Sequence, residues 1–232
     1  MKRNLILSGG VAHDFARTSP MLADVLGGVG IQSEIHEDFT IVEDGSILNF
    51  DMLTLNCIRW TCSQPQVNPT WREEWHFELS EEAREGFLSF FNQGKGLLAL
   101  HAATICFDDW SEYRKILGGW WDWEQSGHAP FQRHALNVHT DEHPMTEGIR
   151  DFEIDDELYT DPVIADSISP LIEGEWKGKR HPLLWLHEYG NSRICYNALG
   201  RGPEAFEHAA NRTLLQRGAR WVLNSATTEI DG

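Results

Sequence analysis

The chain has 232 residues, with 19 basic and 36 acidic side chains that give a formal net charge of −17 at pH 7. This charge repels nucleic acid phosphates and anionic membrane surfaces, so we expect neither as a partner. No stretch approaches the roughly 20 apolar residues of a membrane span, and the apolar run at the amino terminus breaks at Gly9-Gly10, too early for a signal peptide. We therefore expect one domain over residues 1–232 in the cytoplasm.

The first part of the chain predicts alternating strands and helices. Residues 4–8 form a short apolar run that ends in Gly9-Gly10, and residues 19–26 then show helical spacing closed by Gly27-Gly28. Two further strands and a loop rich in Trp and Pro are predicted next, at 32–36, 51–56 and 59–76.

A capped helix and a buried strand follow. Ser80 precedes Glu81 and Glu82, an N-cap with acidic residues where the helix dipole favours them, and this helix is predicted to end near Gly94. Residues 96–100 (GLLAL) are apolar without alternation, which is typical of a parallel strand covered on both faces. The strand ends at His101.

The second half changes to shorter alternating segments. They are predicted as strands at 134–140, 151–159, 182–187 and 193–199, with helices at 109–117 and 209–223. Residues 183–199 predict a hairpin that turns at Gly190-Asn191. The whole pattern predicts an α/β fold with a mostly parallel central sheet, helices on both faces and added antiparallel hairpins.

In such open sheets ligands bind beyond the carboxyl ends of the strands, where His13, His101 and His187 are expected. Ten tryptophans are also unusual for this length. Aromatic loops often line sugar sites, although core packing is the alternative for most of these rings. The loop-like positions are Trp60, Trp71, Trp110, Trp120, Trp121 and Trp123.

Six pieces of the chain, in their order and spacing, match one known family. They are Gly9-Gly10 with His13, GLLALHAAT at 96–104, LGGWW at 117–121 with Gly127-His128 and Gln132, His143-Pro144 with Gly148, Asp156-Glu157 with Tyr159, and HPLLWLHEYGNSRICYNALG at 181–200. Along most of its length the chain thus resembles the ThuA-like (trehalose-utilisation) family of the class I glutamine amidotransferase-like superfamily. The resemblance implies a single ThuA-like domain with a flavodoxin/amidotransferase-like sheet.

The resemblance also implies a tight elbow after the central strand, which in true amidotransferases presents a cysteine nucleophile. This chain has His101 there, and an imidazole cannot form the glutamyl thioester, so we expect no glutamine amidotransferase activity. Cys106 is not positioned to replace the cysteine. By the same resemblance, amidotransferases carry a catalytic histidine, and many ThuA-like relatives retain one, where this chain has Arg201. Arginine stays protonated, so it can bind an anion or hydroxyl but cannot act as a base.

Three residues are predicted to be catalytic. An imidazole at the elbow can accept a proton near neutral pH and return it later, although His101 could instead cap the next helix or bond a loop. His128 lacks the periodicity of a core residue, and the alternative for it is a surface loop. By resemblance Glu157 points into the pocket, and the alternative is a solvated turn.

The remaining candidates are ranked lower. Predicted substrate contacts are His13, Trp60, Gln132, Tyr159 and Arg201. The histidines predicted to be structural are His36, His76, His139, His143, His181, His187 and His208. Histidines and a carboxylate leave open a divalent metal, but the chain has no H-x-x-x-H or H-x-H pair, so no cofactor is predicted as certain.

Family association implies a role in disaccharide or glycoside catabolism, alongside an oxidoreductase that makes a 3-keto sugar. We therefore predict an enzyme that acts on a sugar or keto-sugar, with isomerisation or cleavage of a 3-keto-glycoside by histidine acid/base chemistry. A non-catalytic sugar-binding or regulatory protein and a metal-dependent hydrolase are the alternatives. A homo-oligomer is also left open.

Overall fold

The computed structural model describes residues 1–139 and 143–223. In these ranges the helices are α1 Phe15–Gly27, α2 Thr40–Glu43, α3 Pro69–Trp75, α4 Glu81–Asn92, α5 Ser111–Leu117, α6 Pro203–Glu207 and α7 Ala209–Val222. The strands are β1 Lys2–Gly9, β2 Ile31–His36, β3 Met52–Cys57, β4 Gly96–Leu100, β5 Gly119–Trp120, β6 Gly127–His128, β7 Gln132–Val138, β8 Phe152–Asp156, β9 Tyr159–Thr160, β10 Val163–Ile164, β11 Ile172–Trp176, β12 Lys179–Tyr189 and β13 Ser192–Asn197. Short 3₁₀ turns lie at Ser46–Asn49 and His101–Thr104.

Nine of the described strands form one sheet, in the order β2-β1-β3-β4-β13-β12-β11-β7-β8. The first five are parallel to one another, in the strand order of flavodoxin-like folds. The last four join as antiparallel neighbours. The predicted α/β class, with a mostly parallel core and antiparallel additions, is confirmed.

Strand β13 shows how helices cover both faces, because side chains alternate between the faces of a sheet. The guanidinium of Arg193 lies over the ring of Trp221, and Asn197 donates a hydrogen bond to Asn211, so these residues face α7. Ser192, on the opposite side, donates to the carbonyl of Phe91 in α4. None of the described helices is both long and apolar enough to cross a bilayer.

Several boundaries differ from the predictions. Helix α1 begins before predicted residue 19, because the side chain of Asp14 accepts a hydrogen bond from the Arg17 N–H and caps the helix there. The predicted loop at 59–76 contains α3, which Asn68 caps and which has Pro69 in its first turn, a start signal that was visible in the sequence. Strand β11 was missed. The Ser80 cap and the β12–β13 hairpin are confirmed.

The turn after β1 requires glycine. Gly10 has φ +122°, and a Cβ there would lie 2.3 Å from the carbonyl oxygen of Ile58, the residue that follows β3. Such an approach is possible only without a side chain. The contact therefore holds the loop that carries His13 against the end of β3.

Gly10→Ala is expected to lower the free energy of unfolding by about 2–5 kcal/mol, the sum of a left-handed backbone cost and a steric clash. Gly30→Ala is the matched control, since Gly30 also has positive φ (+77°) but a Cβ added there would meet no heavy atom within 4 Å. It should cost only about 1–2 kcal/mol. Urea unfolding of both variants measures the difference, and equal losses would show that the Ile58 contact is unimportant.

Candidate active site

His101 lies on the elbow that ends β4. Its φ is +40°, in the left-handed region that a sharp turn requires. Its Nδ1 lies 2.7 Å from the carbonyl oxygen of Ala198, and because a carbonyl only accepts, Nδ1 carries the proton. The Tyr196 hydroxyl donates to the backbone carbonyl of His101 at 2.8 Å. The ring is thus fixed, only 2% exposed, with Nε2 as its remaining polar atom.

His13 comes from the loop after β1 and meets His101 edge-on, with 5.1 Å between ring centroids. Its Nδ1 donates to the carbonyl of Val11 at 3.1 Å, and its ring stacks on Phe15. Burial, helped by the neighbouring His101, lowers the pKa of His13 to about 3, so the ring is neutral. The Nε2 atoms of both histidines are buried and have no hydrogen-bond partner among the described residues.

The Glu157 carboxylate faces the imidazoles of His101 and His128 and the guanidinium of Arg201. Its Oε1 lies 3.0 Å from Nδ1 of His128, and its Oε2 lies 3.5 Å from Nε2 of His101 and 3.7 Å from Nε of Arg201. Burial by itself would raise the pKa of Glu157, but the imidazoles of His101 and His128, when they carry protons on the nitrogens that face it, outweigh burial and hold this pKa well below its usual range. The same contact raises the pKa of His128.

Asp156 holds the backbone of Glu157 and of Arg201 in place through hydrogen bonds. Its side chain accepts hydrogen bonds from the N–H groups of Glu157 and Gly200 at 2.8 Å and of Arg201 at 3.0 Å. The carboxyl is 1% exposed, and burial raises its pKa against the effect of these bonds. The residue therefore joins the end of β8 to the segment after β13.

A cavity of about 560 Å³ opens above this cluster. Its walls are mostly aromatic and aliphatic, while its charged groups lie together on one side. The lining residues are Ala12, His13, Ile58, Trp60, Gln66, Val67, Asn68, Trp71, Ile105, Trp121, Trp123, His128, Glu157, Tyr159 and Arg201. A space of this size and character is typical of a small-molecule site.

Six of the eight predicted site residues line this cavity: His13, Trp60, His128, Glu157, Tyr159 and Arg201. His101 lies directly behind them, with its ring 4.2 Å from that of Tyr159. Gln132, which is exposed at the start of β7, does not line the cavity. None of the seven histidines predicted to be structural lines it either.

Sequence reasoning identified only Trp71 as a candidate in the wall formed by α3 and the residues before it. Asn68 and Trp71 belong to a segment predicted as a loop, and Gln66 and Val67 gave no signal. Of the loop tryptophans, four line the cavity, and the excess of tryptophan was the available signal for them. Trp110 packs in the core instead, and Trp120 lies against Arg114.

A model of the ThuA family, described as trehalose utilisation, matches residues 3–222. The chain belongs to the ThuA family. This links it to carbohydrate metabolism through the family as a whole. No curated protein matches the chain.

Solved structures share the fold of this ThuA-family chain. A ThuA-like protein from Parabacteroides merdae has a TM-score of 0.77 at 20% identity, covering 99% of this chain and 92% of the other. A cytoplasmic protein from Salmonella typhimurium has a TM-score of 0.65 at 14% identity, covering 96% and 99%. A glutamine amidotransferase from Thermotoga maritima has a TM-score of 0.55 at 10% identity, covering 97% and 99%. At these identities the likeness shows the fold alone.

His181 holds the turn that follows the cavity residue Tyr159. It is buried on β12, and its Nδ1 accepts a hydrogen bond from the N–H of Asp161 at 3.0 Å. Asp161, with φ +52°, turns the chain just after β9, which carries Tyr159. Accepting this bond requires an unprotonated Nδ1, and burial lowers the pKa of His181 even though the Asp161 carboxylate raises it.

The stability of the protein should therefore depend on His181 in mild acid. In the folded protein the pKa of His181 lies below 6.5, so as the pH falls the unfolded chain binds the proton first. The contribution of His181 to stability is therefore complete above pH 6.5 and is lost as the pH falls from 6.5 through the folded pKa. His181→Asn offers Oδ1 as an acceptor that does not titrate. Urea unfolding should show a smaller loss of stability from about pH 7 to about pH 5 for this variant than for wild type. Equal losses would contradict the assignment.

Proposed function

We propose that this ThuA-family protein is an enzyme that acts on a 3-keto-glycoside such as 3-keto-trehalose. The reaction is removal of the proton next to the ketone, followed by isomerisation or by loss of the glycosidic substituent. The substrate class rests on the family's link to trehalose utilisation. The supporting observation is a carboxylate and imidazole pair, Glu157 and His128, in a cavity with aromatic walls.

His128 is the proposed proton carrier. Its Nδ1 lies 3.0 Å from Glu157 Oε1 and 3.1 Å from the carbonyl oxygen of Ala129, two acceptors that keep the proton on Nδ1. Nε2 is then the nitrogen available to take a proton from substrate. The Glu157 carboxylate orients the ring and makes it more basic, as an acidic partner does for a catalytic histidine in general.

The other predicted residues take supporting roles in this proposal. Negative charge develops on the ketone oxygen when the carbon loses its proton, and the Arg201 guanidinium is the cation in the cavity wall that would stabilise it. His101 lies behind Glu157 and acts as a positioning residue. In isomerisation the proton on His128 returns to the former ketone carbon, while the hydroxyl proton of the adjacent carbon passes to the ketone oxygen. In cleavage the proton on His128 goes to the departing glycosidic oxygen.

The tryptophans supply the sugar-binding surface. Trp71 is a large apolar side chain that is 38% exposed, on α3, and it lines the cavity. Trp121 lies edge-on to Tyr159 at 5.0 Å on another part of the wall. Aromatic faces suit the C–H face of a pyranose, and the charged side of the cavity suits its hydroxyls.

The proposal also includes the cytoplasm as compartment and a sugar oxidoreductase as functional partner, which would make the ketone. A ketone is needed because it acidifies the neighbouring C–H bond.

His128→Gln is expected to lower the rate of proton abstraction by about 10²–10⁴-fold, the usual contribution of a general base. The measurement is deuterium incorporation next to the ketone of 3-keto-trehalose in D₂O, followed by NMR together with product formation. Gln132→Ala is the control, because Gln132 is exposed and outside the cavity. It should keep the wild-type rate.

Two results would contradict the proposal. Binding of the keto-sugar by wild type without exchange or products would identify a sugar-binding protein instead of an enzyme. Unchanged exchange in His128→Gln would remove His128 as the base.

Trp71→Ala tests the sugar-binding wall separately. The side chain is partly exposed, so stability should change little, while loss of an aromatic contact worth about 1.4 kcal/mol would weaken sugar binding about tenfold. Calorimetry with the keto-sugar measures this. Trp120→Ala, outside the cavity, is the control, and an equal effect of both substitutions would exclude a specific role for Trp71.

A further inference from the structure

Two buried imidazole nitrogens share one small space without a hydrogen-bond partner among the described residues. They are Nε2 of His13 and Nε2 of His101, from the loops after β1 and β4. Buried polar atoms in proteins are almost always paired, so two unpaired atoms side by side need an explanation. The acid/base roles proposed above assign no proton transfer to either atom.

Both rings are held in the orientation that histidine ligands of metals adopt. Each donates its Nδ1 proton to a backbone carbonyl, His13 to Val11 at 3.1 Å and His101 to Ala198 at 2.7 Å. A hydrogen bond from the second nitrogen to a carbonyl fixes the tautomer and directs the Nε2 lone pair toward the ion. The same arrangement occurs here twice, on independent segments.

Glu157 completes a set of three ligands. One ligand atom each from His13, His101 and Glu157 lie within 4.8 Å of one another. In a tetrahedral site with metal–ligand bonds of about 2.0–2.2 Å, two ligand atoms are about 3.3–3.6 Å apart. Oε2 of Glu157 and Nε2 of His101 are already 3.5 Å apart, so the other pairs need to approach by at most about 1.5 Å, which side-chain rotations supply.

A water molecule explains the cluster less well. The two Nε2 lone pairs and the Glu157 carboxylate are three acceptors directed at one space, and a water has only two protons to donate. A cation satisfies all three at once. The carboxylate also lies next to Arg201, so an ion would share the negative charge of Glu157 with this guanidinium.

We propose that His13, His101 and Glu157 bind one divalent transition-metal ion through the two Nε2 atoms and a carboxylate oxygen. Two imidazoles with one carboxylate suit Zn²⁺, Mn²⁺ or Fe²⁺, whereas Mg²⁺ and Ca²⁺ prefer oxygen ligands only. The ion's open positions face the cavity and accept oxygen atoms of a bound small molecule. His128 is left outside the ligand set, held by the other oxygen of Glu157. Metal binding does not require the proposed sugar reaction.

Direct binding measurements test the site without any substrate. The protein is stripped with a chelator and dialysed, then titrated with Zn²⁺ in a calorimeter and with Co²⁺ while its visible d–d absorption is recorded. Wild type should bind one equivalent. His13→Gln, His101→Gln and Glu157→Gln should each weaken binding by more than about 100-fold, since even residues that only support ligands contribute 10–100-fold.

The control is His187→Gln, which removes a histidine that bonds to the Lys115 carbonyl far from the cluster, and it should bind like wild type. Thermal melts of the stripped proteins check folding. If His101→Gln, the most buried position, does not fold, the His13 and Glu157 variants decide the question. The proposal is overturned if wild type binds no stoichiometric ion, if the His13 and Glu157 variants bind as tightly as wild type, or if His187→Gln loses binding equally. None of these outcomes depends on turnover of a keto-sugar.

Discussion

The candidate site depends on the hydrogen bonds that the buried carboxylate of Asp156 accepts. It accepts hydrogen bonds from the N–H groups of Glu157, Gly200 and Arg201, and so joins the end of β8 to the exit of β13. In the sheet these strands are four positions apart, which at about 4.8 Å per strand would be about 19 Å in a flat sheet. The antiparallel half of the sheet and the segment after β13 therefore bend toward each other. This curvature brings Glu157 to the elbow at His101.

The fixed and the more exposed side chains of the site come from different parts of the fold. The parallel strands contribute the rigid part, where His13 and His101 are fixed by bonds from Nδ1 to backbone carbonyls. The curled antiparallel segments contribute Glu157, Tyr159 and His128, which is half-exposed. Groups on the rigid part are held in single orientations, as a preorganised site requires. Among the histidines of the site, His128 is the one most exposed to solvent.

The turn after the central strand β4 carries a buried histidine. His101 occupies the turn with positive φ that follows the central strand, and its ring is nearly inaccessible. A nucleophile has to reach its substrate, whereas this imidazole reaches only neighbouring side chains. The elbow thus serves here to hold a buried nitrogen in place, and the groups that contact the cavity come from elsewhere in the chain.

The sequence by itself determined the features that depend on local pattern. The apolar run GLLAL indicated a strand buried on both faces, Ser80 with its acidic neighbours indicated a helix start, and Gly190 indicated the hairpin turn, because burial, capping and turn geometry act over a few residues. With the family resemblance, it also indicated most of the charged and polar residues that line the cavity.

Only the tertiary structure decided which of these residues meet and what faces solvent. Gln132 was a reasonable candidate by position, but the pairing of β7 with β8 leaves it exposed and outside the cavity. The sequence placed His13 and His101 each after a strand, but 88 residues separate them, and only the parallel pairing of β1, β3 and β4 brings their loops together. The physical reason is that contacts across a sheet depend on strand order and curvature, which no short segment of the chain encodes.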